Sequence, residues 1–231
     1  MKVEIWSDVM CPFCYIGKRK FENALEQFEN KAGVEIVWKS FQLDPEMKSD
    51  PNKNTHQYLA EKKGWTYDYA KQVSEQVTTM AKDVGLTYNF DKSVVANSFN
   101  AHRVSHLAKK YNLGDAMEEQ LFKAYFTEGD NIDDNETLTK LGTTIGLKTK
   151  EIEEVLNSDL YSEEVERDII EAQQVGVRGV PFFVIDRKFA VSGAQPSDVF
   201  LNALNKAWNE STDHNTTAND ADSCSVDGEC N

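Results

Sequence analysis

The 231-residue chain carries 25 Lys and Arg against 39 Asp and Glu, a formal net charge of −14 at pH 7. A field of that sign repels nucleic acid and anionic membrane surfaces and excludes a sequence-independent nucleic-acid binder. With 40% hydrophobic and 10% aromatic residues the chain has apolar surface enough for a packed core, so global disorder is excluded and one large domain, or a domain with an insertion, is expected.

Residues 2–7 read as a strand and residues 12–30 as a helix whose Cys14, Phe21, Leu25 and Phe28 share one face, ended by Gly33. Val34 to Leu43 is β-branched and aromatic, a second strand stopped by Asp44-Pro45. From about 54 to 174 the apolar residues recur at helical spacing, as in Tyr69, Val73, Val77 and Met80, or Phe99, Val104, Leu107 and Tyr111. Five or six helices and no strands are expected there, with Gly64, Gly85, Gly114, Gly129, Gly142 and Gly146 marking helix ends. After Gly176 the pattern predicts a hairpin of Phe182–Ile185 and Phe189–Val191 about an Asp186-Arg187 turn. A last amphipathic helix is expected from Ser197 to about Trp208, with Val199, Phe200, Leu204 and Trp208 on its apolar side. From Glu210 onward the sequence is polar, holds six acids and no Lys or Arg, and reads as a mobile tail.

Strand–helix–strand, a helical block and hairpin–helix describe an α/β domain, residues 1–45 and 175–209, interrupted by an all-helical insertion, 46–174, and followed by an acidic tail, 210–231. The strongly apolar run Val180–Ile185 contains Pro181 and is far shorter than the roughly 20 residues that span a bilayer. Charges at Lys2 and Glu4 break any signal-peptide core, so the chain reads as cytoplasmic, although a secreted protein stripped of its leader would read the same.

The four cysteines fall into two close pairs, Cys11/Cys14 and Cys224/Cys230, at opposite ends of the chain, which is not a disulfide scaffold. The Cys11-Pro12-Phe13-Cys14 motif sits where the first strand turns into the first helix. Unpaired N–H groups and the helix dipole there favour a thiolate, and Pro12 suits the first helical position because its missing N–H has no partner to lose. The outer Cys11 is placed to attack a disulfide and Cys14, one turn on, to resolve the product. A zinc half-site or an inert disulfide shares this spacing; zinc would need a second matched pair, and Cys224-x5-Cys230 is unusual for a closed tetrahedral site.

Taken with the distant Gly176-Val-Arg-Gly-Val-Pro181, this arrangement resembles the thioredoxin fold, and the helical insertion resembles its DsbA-like branch. Trp6 to Gly17, Phe41-Gln-Leu-Asp-Pro45 and Asn97-Ser-Phe-Asn-Ala-His-Arg103 are similar to the FrnE-type oxidoreductases of that family. The resemblance covers residues 1 to about 209 and implies a cis peptide before Pro181, beside the cysteine pair, with the Val180 backbone pairing with an extended substrate. It further implies Cys11, Cys14 and Pro181 as catalytic residues, and Pro12, Phe13, Val180, Asn97 and His102 as substrate contacts, with Asn97, Asn100 and His102 facing the redox site. Beyond the resemblance, Cys224 and Cys230 on the flexible tail read either as an accessory redox pair that exchanges its disulfide with Cys11–Cys14 or as redox-silent thiols.

Two departures limit the resemblance. Phe13 stands where DsbA has His and cannot donate a hydrogen bond to a thiolate; Ile5 stands where the family's buried acid is found, which leaves Glu4 or Asp8 as proton acceptor, Asp8 being equally a turn residue. His102 and His106 have a metal-binding spacing but no companion motif, so no metal is expected. Trp65, Tyr67, Tyr69 and Tyr88 are read either as a substrate groove or as core.

The function expected is thiol–disulfide oxidoreductase or isomerase, acting on disulfide- or thiol-bearing proteins through a mixed disulfide at Cys11. It needs no cofactor beyond its own disulfide, with a thiol reductant, a reductase or glutathione for recycling. The same branch contains the 2-hydroxychromene-2-carboxylate isomerases and kappa-class glutathione transferases, which usually carry Ser at the position of Cys11. A redox-regulated holdase is a third reading.

Overall fold

The computed structural model describes residues 1–219. In chain order it forms β1 (Lys2–Ser7), α1 (Pro12–Gln27), β2 (Glu35–Ser40), β3 (Asp50–Asn54), α2 (Thr55–Lys63), α3 (Tyr67–Lys82), β4 (Val94–Val95), α4 (Phe99–Lys110), α5 (Gly114–Lys123), α6 (Asn135–Thr144), α7 (Thr149–Leu156), α8 (Ser162–Val175), β5 (Phe182–Ile185), β6 (Phe189–Ser192) and α9 (Ser197–Asn219).

The main sheet runs β2-β1-β5-β6. β1 and β2 are parallel, with Ser7 opposite Ser40; β5 runs antiparallel to β1, with Ile5 opposite Phe183, and β6 antiparallel to β5. Strand alternation sorts β1 onto two faces. Val3 and Ile5, with Phe183 and Ile185, pack with Phe21 of α1 and Phe200 and Leu204 of α9. Trp6, with Val184, packs with Ala172 of α8 and Val177 on the other. The β1–α1–β2 crossover and the β5–β6 hairpin with its following helix make this the thioredoxin fold of the DsbA-like type, as the sequence predicts.

The α1 helix is fixed on both sides. Phe21 meets Phe183 and Phe200 at ring-centroid separations of 5.4 and 5.8 Å, while Tyr15 stacks on Phe122 of α5 at 5.0 Å. The sheet core and the helical block thus form one continuous apolar cluster.

Three expectations are corrected. The stretch from 54 to 174 is not purely helical: Val94–Val95 pairs antiparallel with Asp50–Asn54, and seven helices, α2 to α8, are formed. A two-residue strand has too little length for a period-two pattern. Gly64, Gly85, Gly129 and Gly146 take positive φ, but Gly114 opens α5 and Gly142 lies within α6, where a Cβ would stand 2.7 Å from Ile152 Cδ1. Gly142 is a packing glycine between α6 and α7. Finally, α9 continues past Trp208 to Asn219, with neither Gly nor Pro between 197 and 219 to stop it. Cys224 and Cys230 lie outside the described residues. Among the described residues, no helix is long and apolar enough to cross a membrane.

Candidate redox site

β1 ends at Ser7, and the chain turns at once: the Cys11 N–H donates to the Asp8 carbonyl at 2.9 Å, and the Cys14 N–H to the Cys11 carbonyl at 3.0 Å. Cys11 caps α1 in an extended conformation, φ −88° and ψ 111°, makes no side-chain cap bond and is followed by Pro at the first helical position. Its sulfur therefore stands at the helix start, where the dipole of α1 favours a thiolate and the first turn of the helix carries no acidic residue.

Both cysteines are free thiols, 4% and 1% exposed. Burial, then the hydrogen bond and charge of the neighbouring Cys11 sulfur, push the Cys14 thiol well above its ordinary pKa; the Ser7 hydroxyl and the Asp8 backbone N–H pull the other way.

The β5 side closes over Cys11. The Val180–Pro181 peptide is cis, and the Cys11 thiol donates to the Val180 carbonyl at 3.5 Å. The Pro181 carbonyl in turn accepts from the Gly193 N–H at 2.8 Å. Gly17 makes this approach sterically feasible, because a Cβ there would lie 2.8 Å from Pro181 Cγ. From the helical block, the Tyr88 hydroxyl donates to the Pro12 carbonyl at 2.7 Å. Phe13, 38% exposed, projects beside the buried cysteines.

Asp8 is both turn residue and buried acid. It is 1% exposed; its Oδ2 accepts from the Leu43 N–H at 2.7 Å and its Oδ1 from the Met10 N–H at 3.3 Å. His102, 2% exposed on α4, brings Nε2 to 3.7 Å from Asp8 Oδ1. Glu4 is committed elsewhere: it shares the Trp6 face of β1 and is bound by Lys2 and Arg187.

The Asn97–Arg103 segment does three separate jobs. Asn97 accepts from Gln42 Nε2 at 3.0 Å and donates to the Met47 carbonyl at 2.8 Å, holding the loop after β2 rather than contacting the thiols. Asn100 binds Asp133 at 3.2 Å and Arg103 at 3.0 Å. Arg103 donates to the carbonyls of Val155, Ser158 and Leu160, capping α7 and the turn behind it. Of the expected trio, His102 is the residue brought to the redox turn.

Trp65 and Tyr69 pair with each other at 5.1 Å, and Tyr67 with His56 at 5.8 Å, so of the four aromatics weighed as a groove Tyr88 alone hydrogen-bonds the redox turn. His106 does not pair with His102 for a metal; its Nε2 lies 3.1 Å from Ser40 Oγ and 3.2 Å from Asp168.

Sequence reasoning passed over two residues. Gly17 follows Cys14 by one helical turn on the face that continues to Phe21, a spacing that marks a close-packing glycine. Asp168 lies on the apolar stripe of α8 between Val165 and Ala172 and is itself buried. An acid in that stripe signals a buried polar junction.

The family model of the DSBA-like thioredoxin domain matches residues 2–205. The uncharacterized protein YwbO of Bacillus subtilis is 30% identical over 209 residues, 87% of this chain and 94% of that one. A probable DsbA oxidoreductase of Streptomyces coelicolor is 39% identical, with a TM-score of 0.86 over 91% of each chain. The cytosolic disulfide reductase DsbM of Pseudomonas aeruginosa shares the fold at 16% identity, with a TM-score of 0.65 over 90% of this chain and 99% of that one. The family match across nearly the whole chain, on a thioredoxin fold with a cysteine pair at the start of α1, makes this protein a member of the DSBA-like thioredoxin-domain family.

Proposed function

We propose that the protein is a dithiol–disulfide oxidoreductase or isomerase of protein substrates, with Cys11 as the attacking thiol and Cys14 as the resolving one. One observation carries this reading: two free thiols in contact at the first turn of α1, the outer one against the Val180 carbonyl and beside Pro181. An extended substrate chain pairing with the backbone at Val180 would meet the Cys11 sulfur directly, with Phe13 offering apolar contact.

The Cys11 thiolate attacks one sulfur of the substrate disulfide, and the other leaves as a thiolate that takes up a proton. Cys14 then attacks Cys11, releasing the second substrate thiol and leaving the Cys11–Cys14 disulfide. Two electrons pass from the pair to the substrate, and a thiol reductant, a reductase or glutathione restores the pair. In a cytoplasmic glutathione pool the cycle favours reduction and isomerisation over net oxidation.

Insulin reduction with dithiothreitol as recycling thiol tests the assignment. Cys11→Ser is expected to abolish turnover, and Cys14→Ser to accumulate mixed disulfides because nothing resolves them. Full reductase turnover in Cys11→Ser would overturn the reading.

A further inference from the structure

Ser7 closes β1 with its hydroxyl buried beside the redox pair: the residue is 1% exposed, and its Oγ has no hydrogen-bond partner among the described residues. Strand alternation puts Ser7 on the face of Val3 and Ile5, the face that packs against α1 and shares its apolar cluster with Cys14. Its neighbour across the sheet does not relieve it, because the Ser40 hydroxyl stands 3.1 Å from His106 Nε2. A hydroxyl left unpaired in an apolar layer is costly, and such a group calls for a physical reason.

The group it faces is the Cys14 sulfur. Burial and the neighbouring Cys11 oppose ionisation of Cys14, and the Ser7 hydroxyl is the side chain that favours it, alongside the Asp8 backbone N–H. The other polar side chains of the turn are spent: the Asp8 carboxylate accepts from the Leu43 and Met10 N–H groups, and the Tyr88 hydroxyl donates to Pro12. A thiol is a weak acceptor, whereas a thiolate is a full charge, so the Ser7 hydroxyl gains a strong partner only when Cys14 ionises. An interaction that strengthens on the way to the activated state speeds the step through that state.

We propose that the Ser7 hydroxyl is a catalytic hydrogen-bond donor, stabilising the Cys14 thiolate as it resolves the mixed disulfide at Cys11. This rests on the oxidoreductase reading above. In that step the Cys14 S–H bond breaks and its proton passes to hydroxide or a buffer base of the solvent. The Ser7 O–H turns to the sulfur and keeps its own proton. The Cys14 thiolate forms the S–S bond to Cys11, and the Cys11–substrate S–S bond breaks. The substrate sulfur leaves with the electron pair as a thiolate and takes a proton from solvent. Once the neutral Cys11–Cys14 disulfide has formed, the hydroxyl again faces no charge, so it does not hold the product back.

The test mixes reduced full-length protein with the disulfide of thionitrobenzoate and follows thionitrobenzoate release by absorbance. Cys224→Ser and Cys230→Ser are present throughout, so that only the redox pair reports. The first release, proportional to reagent concentration, reads capture by Cys11; the second, independent of it, reads resolution by Cys14. Ser7→Ala is expected to leave the first unchanged and to slow the second about fivefold at pH 7. Losing a hydrogen bond to an ion removes about tenfold or more of the thiolate, and the greater nucleophilicity of a more basic thiolate restores part of the rate. Because the hydroxyl has no partner in the resting thiol form, Ser7→Ala is also expected to leave the urea midpoint of the reduced protein unchanged or raised, whereas loss of a structural contact would lower it. A second release at the unsubstituted rate, equal slowing of both releases, or a lowered midpoint would overturn the inference. Absence of any second release from protein that retains Ser7 would instead defeat the oxidoreductase reading.

Discussion

At the residue scale, the redox turn depends on one missing Cβ. Gly17 lies on the face of α1 that meets Pro181 and Ala194, and a methyl there would sit 2.8 Å from Pro181 Cγ and 3.6 Å from the Ala194 backbone. Pro181 is buried and its ring is rigid, so the helix or the strand must shift. Gly17→Ala is expected to destabilise the fold by about 1–3 kcal/mol, the usual cost of overpacking. Displacing Val180 from Cys11 should also lower insulin reductase turnover about tenfold, because misplacement on the ångström scale is costly in a positioned site. Urea unfolding and the insulin assay check both, and a variant with wild-type stability and turnover would show that Pro181 does not depend on this contact.

At the element scale, β2, α4 and α8 are joined through Asp168. The carboxylate accepts from Lys39 Nζ at 2.9 Å, the Ser40 N–H at 3.0 Å and His106 Nε2 at 3.2 Å, while Lys109 Nζ stands 3.6 Å away. Burial works against its ionisation, but the His106 hydrogen bond, the Lys109 charge, the Ser40 amide and Lys39 together hold it well below the usual carboxylate range. His106 is shifted the other way relative to its charge: burial lowers its pKa, the Asp168 bond only partly offsetting this. The signs agree. Asp168 contributes stability that is present above its unfolded pKa of about 3.9 and is lost as pH falls below it, and a His106 held neutral contributes stability that is lost as pH falls below about 6.5. The protein is therefore expected to have a lower urea midpoint at pH 4.5 than at pH 7.5. Asp168→Asn should cost about 3 kcal/mol at pH 7.5, because it leaves the Lys109 charge without its carboxylate at a buried junction, whereas Lys39 keeps Glu171 at 2.9 Å. An unchanged midpoint in either comparison would contradict this account of the junction.

At the scale of the whole molecule, the thioredoxin core was legible because each of its parts carries a local signal. β1 and β2 are β-branched runs, Pro12 marks the helix start, and the hairpin's two apolar runs flank Asp186-Arg187, which takes positive φ at both positions. What stayed hidden depends on partners distant in sequence. Val94–Val95 becomes a strand only because Asp50–Asn54 lies alongside, and Gly142 is small because Ile152 of the next helix fills its space. Asp8 illustrates the same limit within the candidate site: as a sequence feature it reads equally as a proton acceptor or a turn residue, and only the fold shows its carboxylate enclosed by Leu43 and His102 from two other parts of the chain.

The central claim is that Cys11 captures the substrate and Cys14 releases it, and the most direct measurement is where the covalent intermediate forms. Cys14→Ser protein mixed with a disulfide-bonded peptide, quenched in acid and mapped by mass spectrometry should carry one half of the peptide on Cys11, whereas the wild-type protein should carry the Cys11–Cys14 disulfide and free peptide thiols. A peptide adduct on any other residue, or no adduct at Cys11 in the variant, would contradict the account.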